Sequence, residues 1–142
     1  MADRFEIIVD TSEKKQFLFP NHKVRRQKLA TGDYSITGCE DLITVERKGA
    51  MELYGMVNSA RFKRELVRMQ SISRKAIVVE GGIDDVLCGN RYSDLAPERV
   101  VKATLMWQIV YDVPVCWAGS RENAQAWTLR FLETWWKWRG LL

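Results

Sequence analysis

Between Gly32 and Lys48 the chain alternates with a period of two on either side of a short glycine-containing connection. Asp33, Ser35 and Thr37 alternate with Tyr34 and Ile36. After Gly38-Cys39-Glu40-Asp41, the residues Leu42, Thr44, Glu46 and Lys48 alternate with Ile43, Val45 and Arg47. This pattern predicts a β-hairpin. With those four residues as the turn, Thr37 faces Leu42 and, counting back, Asp33 faces Glu46. Glu46 and Lys48 then share Asp33's face, while Tyr34, Ile36, Ile43 and Val45 cover the other. Two carboxylates directly opposite one another destabilise a bare hairpin. A hard divalent cation reverses that sign, because it wants oxygen ligands converging on one point. Lys48 adds an ammonium beside them. Taken singly, Gly-Asp is an ordinary turn and Glu-x-Lys an ordinary solvated strand edge. The register-matched acids and the lysine together predict a metal site.

The rest of the chain supplies a frame for that hairpin. Phe5–Asp10 is a near-continuous apolar run, the pattern of a strand buried on both faces. Asp10 at its tip is a turn or capping residue by itself, and a further metal or supporting carboxylate beside the hairpin. Glu13, in the Lys-rich loop that follows, is a weaker candidate of the same kind. Lys23–Leu29 carries four cations in six residues, as a solvated edge strand would. Its position before the acidic hairpin makes Arg25 and Lys28 candidate phosphate contacts. Ala50–Asn58 has helical spacing with Glu52 in its first turn. Ala60–Ile72 is a clearer helix, with Phe62, Leu66 and Met69 on a core stripe and Arg61, Arg64 and Arg68 on another. The arginines are either a solvated face or a row of phosphate contacts.

Arg74–Glu80 predicts a buried strand, paired in parallel through the preceding helices. Ile83–Leu95 reads as a loop with one helical turn. Pro97 opens a helix to about Asp112 that is apolar nearly all round, as for a helix buried on several sides. Val113–Trp117 is a short strand that Pro114 assigns to an edge or a strand start. Ser120 caps a last helix to about Arg139, where Trp127, Phe131, Trp135 and Trp138 form an aromatic face predicted to be core. Trp136 lies off that face, and so much apolar surface in two helices predicts a homodimer through the C-terminal helices. The order of elements gives an α/β fold: a mixed central sheet flanked by helices on both faces.

Composition narrows the function classes. At 142 residues, with 46% hydrophobic and 28% charged side chains, the chain is expected to be one globular domain. A net charge of +4 suits a polyanionic partner without demanding one. One histidine, His22, excludes a histidine-based nuclease or a His-rich zinc site. Cys39, Cys88 and Cys116 share no metal-ligand spacing and read as reduced thiols. No signal peptide or membrane-length apolar run is present, so the expected place is the cytoplasm, or the nucleus of a eukaryote.

The spacing of Asp33, Glu46 and Lys48 resembles that of the PD-(D/E)xK nucleases. The longer strings Gly32-Asp33 and Glu46-Arg47-Lys48 resemble the XPF-type structure-specific endonucleases. The likeness extends to Val9-Asp10-Thr11-Ser12-Glu13, Arg61-Phe62 and Ile77–Glu80, and so spans most of the chain. Ser12 stands where that family usually has arginine, and Glu52 where it has a final aspartate. The resemblance implies a restriction-endonuclease-like fold, paired nuclease domains, and no helicase or helix-hairpin-helix module in residues 1–142. It implies hydrolysis of DNA phosphodiesters at branched, flap or junction structures in repair, recombination or replication. Asp33, Glu46 and Asp10 would hold Mg²⁺ or Mn²⁺, and Lys48 would orient or help deprotonate the attacking water. Arg47, on the opposite face, is expected to be a structural ion-pair partner. Two alternatives stand beside this: an inactive DNA-binding or dimerisation partner, and a nuclease of the same fold acting on another nucleic acid. An inactive member would be expected to lose a carboxylate or the lysine, and all three are present.

Overall fold

A computed structural model of the protein describes residues 4–142. The strands are β1 (Glu6–Val9), β2 (Lys23–Arg26), β3 (Tyr34–Ile36), β4 (Ile43–Gly49), β5 (Arg74–Glu80) and β6 (Val115–Trp117). The helices are α1 (Glu52–Met56), α2 (Ala60–Met69), α3 (Ile83–Leu87), α4 (Pro97–Tyr111) and α5 (Arg121–Trp138), followed by a 3₁₀ turn at Arg139–Leu141. One six-stranded sheet runs in the order β2-β1-β3-β4-β5-β6. Its pairings are parallel except at β3, which is antiparallel to both β1 and β4. The mixed α/β architecture expected from the sequence is the one observed. No described helix is long and apolar enough to cross a membrane.

Alternation along the strands sorts the core into two layers. On one face, Ile77 and Val79 of β5 pack with Leu53, Phe62, Leu66, Val86, Val100 and Trp107 from α1 to α4. On the other, Ile7, Val9, Tyr34, Ile36, Ile43, Val45 and Val78 pack against α5. The cationic strand β2 is an exposed edge, as its charges predicted. At the opposite edge β6 starts just after Pro114, whose carbonyl accepts from the Ile77 N–H at 2.9 Å. Side chains at Ser59 and Ser120 cap α2 and α5 by accepting from the N–H groups of Phe62 and Asn123. The segment expected to be helical from Ala50 to Asn58 is shorter, only α1.

The last two long helices depart from expectation. In α4 the buried side is only Val100, Ala103, Thr104 and Trp107, while Ile109 is 81% and Val110 65% exposed. α4 is therefore not buried on several sides. It lies in the outer layer, and no described element covers its far face. In α5 the buried stripe is Ala124, Thr128 and Leu132, not the aromatic one. The sheet face beneath is already lined by Tyr34, Ile36, Ile43 and Val45, and aliphatic or small side chains rather than indoles meet it. Trp127, Phe131 and Trp135 flank that contact half-buried, and Trp138 is half exposed. Trp136 packs within the chain, 5.5 Å from the Phe5 ring and with the Arg139 guanidinium 3.6 Å above its own.

Candidate active site

The hairpin forms in the register its alternation predicted. Tyr34 pairs with Val45, which sets Asp33 opposite Glu46 one step further along. Just outside β3, the Asp33 N–H donates to the Val45 carbonyl at 2.8 Å and holds the residue against β4. Gly32 makes the approach possible. Its φ of +84° lies in the left-handed region, and a Cβ there would overlap the Thr44 hydroxyl. That hydroxyl donates to the Thr31 carbonyl at 2.9 Å and fastens the turn onto β4.

Glu46 is 5% exposed, and Lys48 Nζ stands 3.6 Å from its Oε1. Asp33 Oδ2 accepts from the Arg47 N–H at 2.8 Å. A third acid near this face is Glu65 from α2, which accepts from the Gly32 N–H at 3.4 Å. Burial pushes the Asp33 carboxyl up to about 7, with the negative charges of Glu13 and Glu65 adding to it and the Arg47 N–H and Lys48 opposing. Burial also drives Glu46 well above the ordinary carboxylate range, reinforced by Asp33 and Glu65. Negative charge thus collects on this face, with the Lys48 ammonium to offset it. Reading the sequence missed Glu65, because it sits within the Arg61, Arg64, Arg68 row and shares that row's solvated pattern. The one available sign was an acid interrupting a row of cations.

The other expected residues take different places. Asp10 Oδ1 accepts from the Leu29 N–H at 2.7 Å, and its Oδ2 accepts from the Ser12 N–H at 3.1 Å and from the Ser12 hydroxyl. Burial alone would raise its pKa, but these hydrogen bonds outweigh it and hold the carboxyl below its ordinary value. Its carboxylate clips the end of β1 to the two loops beside it. Glu13 lies on the other face of the sheet, 4% exposed. It accepts from Arg47 Nε at 2.8 Å, Arg47 Nη2 at 3.1 Å and the Tyr34 hydroxyl at 2.8 Å. Arg47 also reaches Glu80 at 3.4 Å and Glu52 at 3.8 Å, and Arg121 joins Glu80 at 2.8 Å. Glu52 Oε1 caps the turn into α1 by accepting from the Gly49 N–H at 3.0 Å.

Arg61, Arg64 and Arg68 are exposed along α2, and Arg68 Nε donates to Thr31 Oγ1 at 3.3 Å beside the acidic face. Lys28 is exposed, while Arg25 on β2 pairs with Glu6 at 3.0 Å. The oxygen donors of Asp33 and Glu46 suit a hard cation of the Mg²⁺ or Mn²⁺ type, and the repulsion between them favours one. Among the described residues, no group of three or more His, Cys, Asp or Glu side chains is placed to hold a metal ion.

This fold and this site have relatives. No curated protein sequence matches the chain significantly. Among solved structures it is similar to XPF from Aeropyrum pernix, at 18% identity over 91% of this chain with a TM-score of 0.72. It is also similar to XPF from Aeropyrum pernix in complex with DNA, at 19% identity over 94% of the chain with a TM-score of 0.73. The matched regions make up 64% and 66% of those two chains. Likeness at that identity establishes a shared fold. The ERCC4 domain matches residues 9–131, from the end of β1 into α5 and across the whole acidic hairpin. The chain belongs to the ERCC4 domain family, a family of DNA nucleases.

Proposed function

We propose that this chain is a divalent-cation-dependent endonuclease that hydrolyses DNA phosphodiesters within or beside branched, flap or junction structures. The observation that carries the reading is the pair of register-opposed acids, Asp33 and Glu46, with Lys48 Nζ 3.6 Å from Glu46. Asp33 and Glu46 would hold Mg²⁺, or Mn²⁺ in its place. When bound, such an ion polarises a phosphate oxygen and lowers the pKa of a coordinated water. Lys48 would orient the attacking water by donating to its oxygen and would offset charge developing on the phosphate. Arg61, Arg64 and Arg68, with Arg25 and Lys28 further along the sheet, would follow the nucleic-acid backbone. That a relative was solved with DNA supports this choice of polymer. The test is cleavage of labelled flap, fork, junction, duplex, single-stranded and RNA substrates with Mg²⁺ and with Mn²⁺. Cutting of branched DNA, lost in Asp33→Asn, supports the reading. Cutting confined to RNA or linear ends selects the same-fold alternative, and binding without cleavage selects the inactive partner.

A homodimer is a second part of the proposal, and α4 is the surface that favours it. Leu105, Met106, Ile109 and Val110 are 42–81% exposed on one side of that helix. Contiguous apolar surface of this kind marks association. The Trp136 ring is already engaged against Phe5, so α4 is the better probe of pairing. Sedimentation at micromolar concentration should give about twice 16.5 kDa, reduced to one chain by Ile109→Glu. A 16.5 kDa particle for the unmutated chain overturns the dimer.

A further inference from the structure

We propose that a basic groove at the end of the sheet remote from the acids takes the phosphate backbone of a second DNA arm. The inference rests on the DNA reading above and adds a further contact surface to it. The groove, of about 1680 Å³, runs between the C-terminal half of α5 and the start of β1 and β2. That exceeds the roughly 300–1,000 Å³ of small-molecule sites and suits a length of polymer. Arg4, Lys23, Arg130, Lys137 and Arg139 line it, against only Glu6 and Glu133. Three positive charges are thus in excess there, where the whole chain has a net +4. Both acids are already engaged. Glu6 accepts from Arg25 at 3.0 Å and from the Thr37 hydroxyl at 2.8 Å, and Glu133 accepts from Arg130 at 2.7 Å. Arg4, Lys23 and Lys137 make no ion pair among the described residues, and Lys137 Nζ lies instead 5.1 Å from the centre of the Trp138 ring. The negative end of the α5 dipole explains a cation in its last turn, such as Lys137. It does not explain Arg4 and Lys23, which other parts of the chain bring to the same groove. Phe5 and Trp136, with rings 5.5 Å apart, hold those parts against α5. Like charges gathered without counter-charges raise the local potential and attract a polyanion.

Position decides which part of the polymer this is. Phe5 stands just before β1 and Lys23 starts β2, whereas Asp10, just past the end of β1, donates its N–H to the Asp33 carbonyl at 2.8 Å. At about 3.3 Å per residue, the groove and the acids are roughly 15 Å apart along the strands. DNA held at the acids has to turn to enter the groove, as the second arm of a branch does and a straight duplex does not.

Metal-free binding of a labelled flap and of a straight duplex of equal length by the full chain, followed by fluorescence anisotropy between about 50 and 200 mM salt, tests this without any cleavage assay. The unmutated chain should hold the flap more tightly than the duplex. Lys23→Gln combined with Lys137→Gln should weaken flap binding by about tenfold or more and flatten its log–log salt slope by roughly two units, one per lost contact. Duplex binding should change by no more than about twofold, because the α2 arginines are untouched. Equal loss on both DNAs, or no preference for the flap in the unmutated chain, overturns the second arm. Unchanged flap affinity and slope in the double variant overturns the groove, and leaves the nuclease reading to stand or fall on cleavage. A chain that binds neither DNA overturns both. If the double variant does not fold, Lys23→Gln and Lys137→Gln are read singly. Each should remove about one unit of slope on the flap, and an unchanged slope in both likewise overturns the inference.

Discussion

The two faces of one hairpin bury charge in opposite ways. Beneath the sheet, Glu13, Glu80 and Glu52 surround the forked guanidinium of Arg47, with Arg121 on Glu80 and the Tyr34 hydroxyl on Glu13. Donors match acceptors there, and the fork satisfies several oxygens at once. Above it, negative charge collects at Asp33, Glu46 and Glu65, with Lys48 alone to offset it. One face sets two guanidiniums against its three carboxylates, whereas the other sets a single ammonium against three. The same strands carry both, so the deficit comes from the residues chosen and not from the fold. Without a ligand, protons meet that deficit, as the raised pKa values of Asp33 and Glu46 show, and perturbed acids of this kind mark functional sites.

Substitutions can pull that contrast apart. The largest effect falls on the unbalanced face. Asp33→Asn and Lys48→Ala should each slow cleavage by at least about a hundredfold, as read from nicking of a labelled flap. Metal-free Asp33→Asn should be no less stable than the unmutated chain in thermal unfolding. Loss of cleavage together with loss of fold would erase the distinction between the faces.

The balanced face should answer in the reverse sense. Arg47→Ala leaves Glu13 and Glu80 buried without their fork, and should cost about 3–5 kcal/mol in urea unfolding. A value near zero would show that water replaces the guanidinium, and that this face is no more self-sufficient than the other.

Acidity sharpens the comparison further. The folded-state pKa of Asp33, about 7, is raised above its ordinary 3.8, so the folded chain holds that proton more tightly than the unfolded one. The stability this confers is fully present below about pH 4 and is lost as pH rises through about 7. The change is on the order of a few kcal/mol. Metal-free melting temperatures should therefore fall between those limits. Asp33→Asn should flatten the fall, and Mg²⁺ should restore stability above pH 7. A flat profile for the metal-free chain would mean that burial does not hold the Asp33 proton.

These faces were unequally legible in the sequence. The hairpin could be read to its register, because a period of two and a four-residue turn leave one pairing that buries Tyr34 and Val45 together. The edge positions of β2 and β6 followed from four cations and from Pro114. The roles of Glu13 and Glu65 did not. Each depends on how a loop or a helix rolls against the sheet, and a stripe of arginines around Glu65 resembles open surface. The same limit hid the outer face of α4 and the buried stripe of α5. Periodicity identifies an apolar side but not how much of it another element will cover.

The smallest effect concerns the rim of the acidic face. If Arg64 and Arg68 touch phosphates, replacing both by alanine should flatten the log–log salt dependence of DNA binding by roughly one unit per lost contact. Affinity should weaken to a similar degree for every sequence. An unchanged slope would return this row to ordinary solvated surface.

Gly32 bears on how such a site can be lost by mutation. A side chain at that position must displace the Thr44 hydroxyl, and with it the tether to Thr31. The turn it governs presents Asp33, donates to Glu65 and receives Arg68 through Thr31. A single neutral substitution there would disarm the site while every acid and the lysine stayed in the sequence. Inactivation by drift therefore need not leave a missing carboxylate behind. Among descendants of this chain, an intact Asp, Glu and Lys count as a working set only where position 32 is still bare.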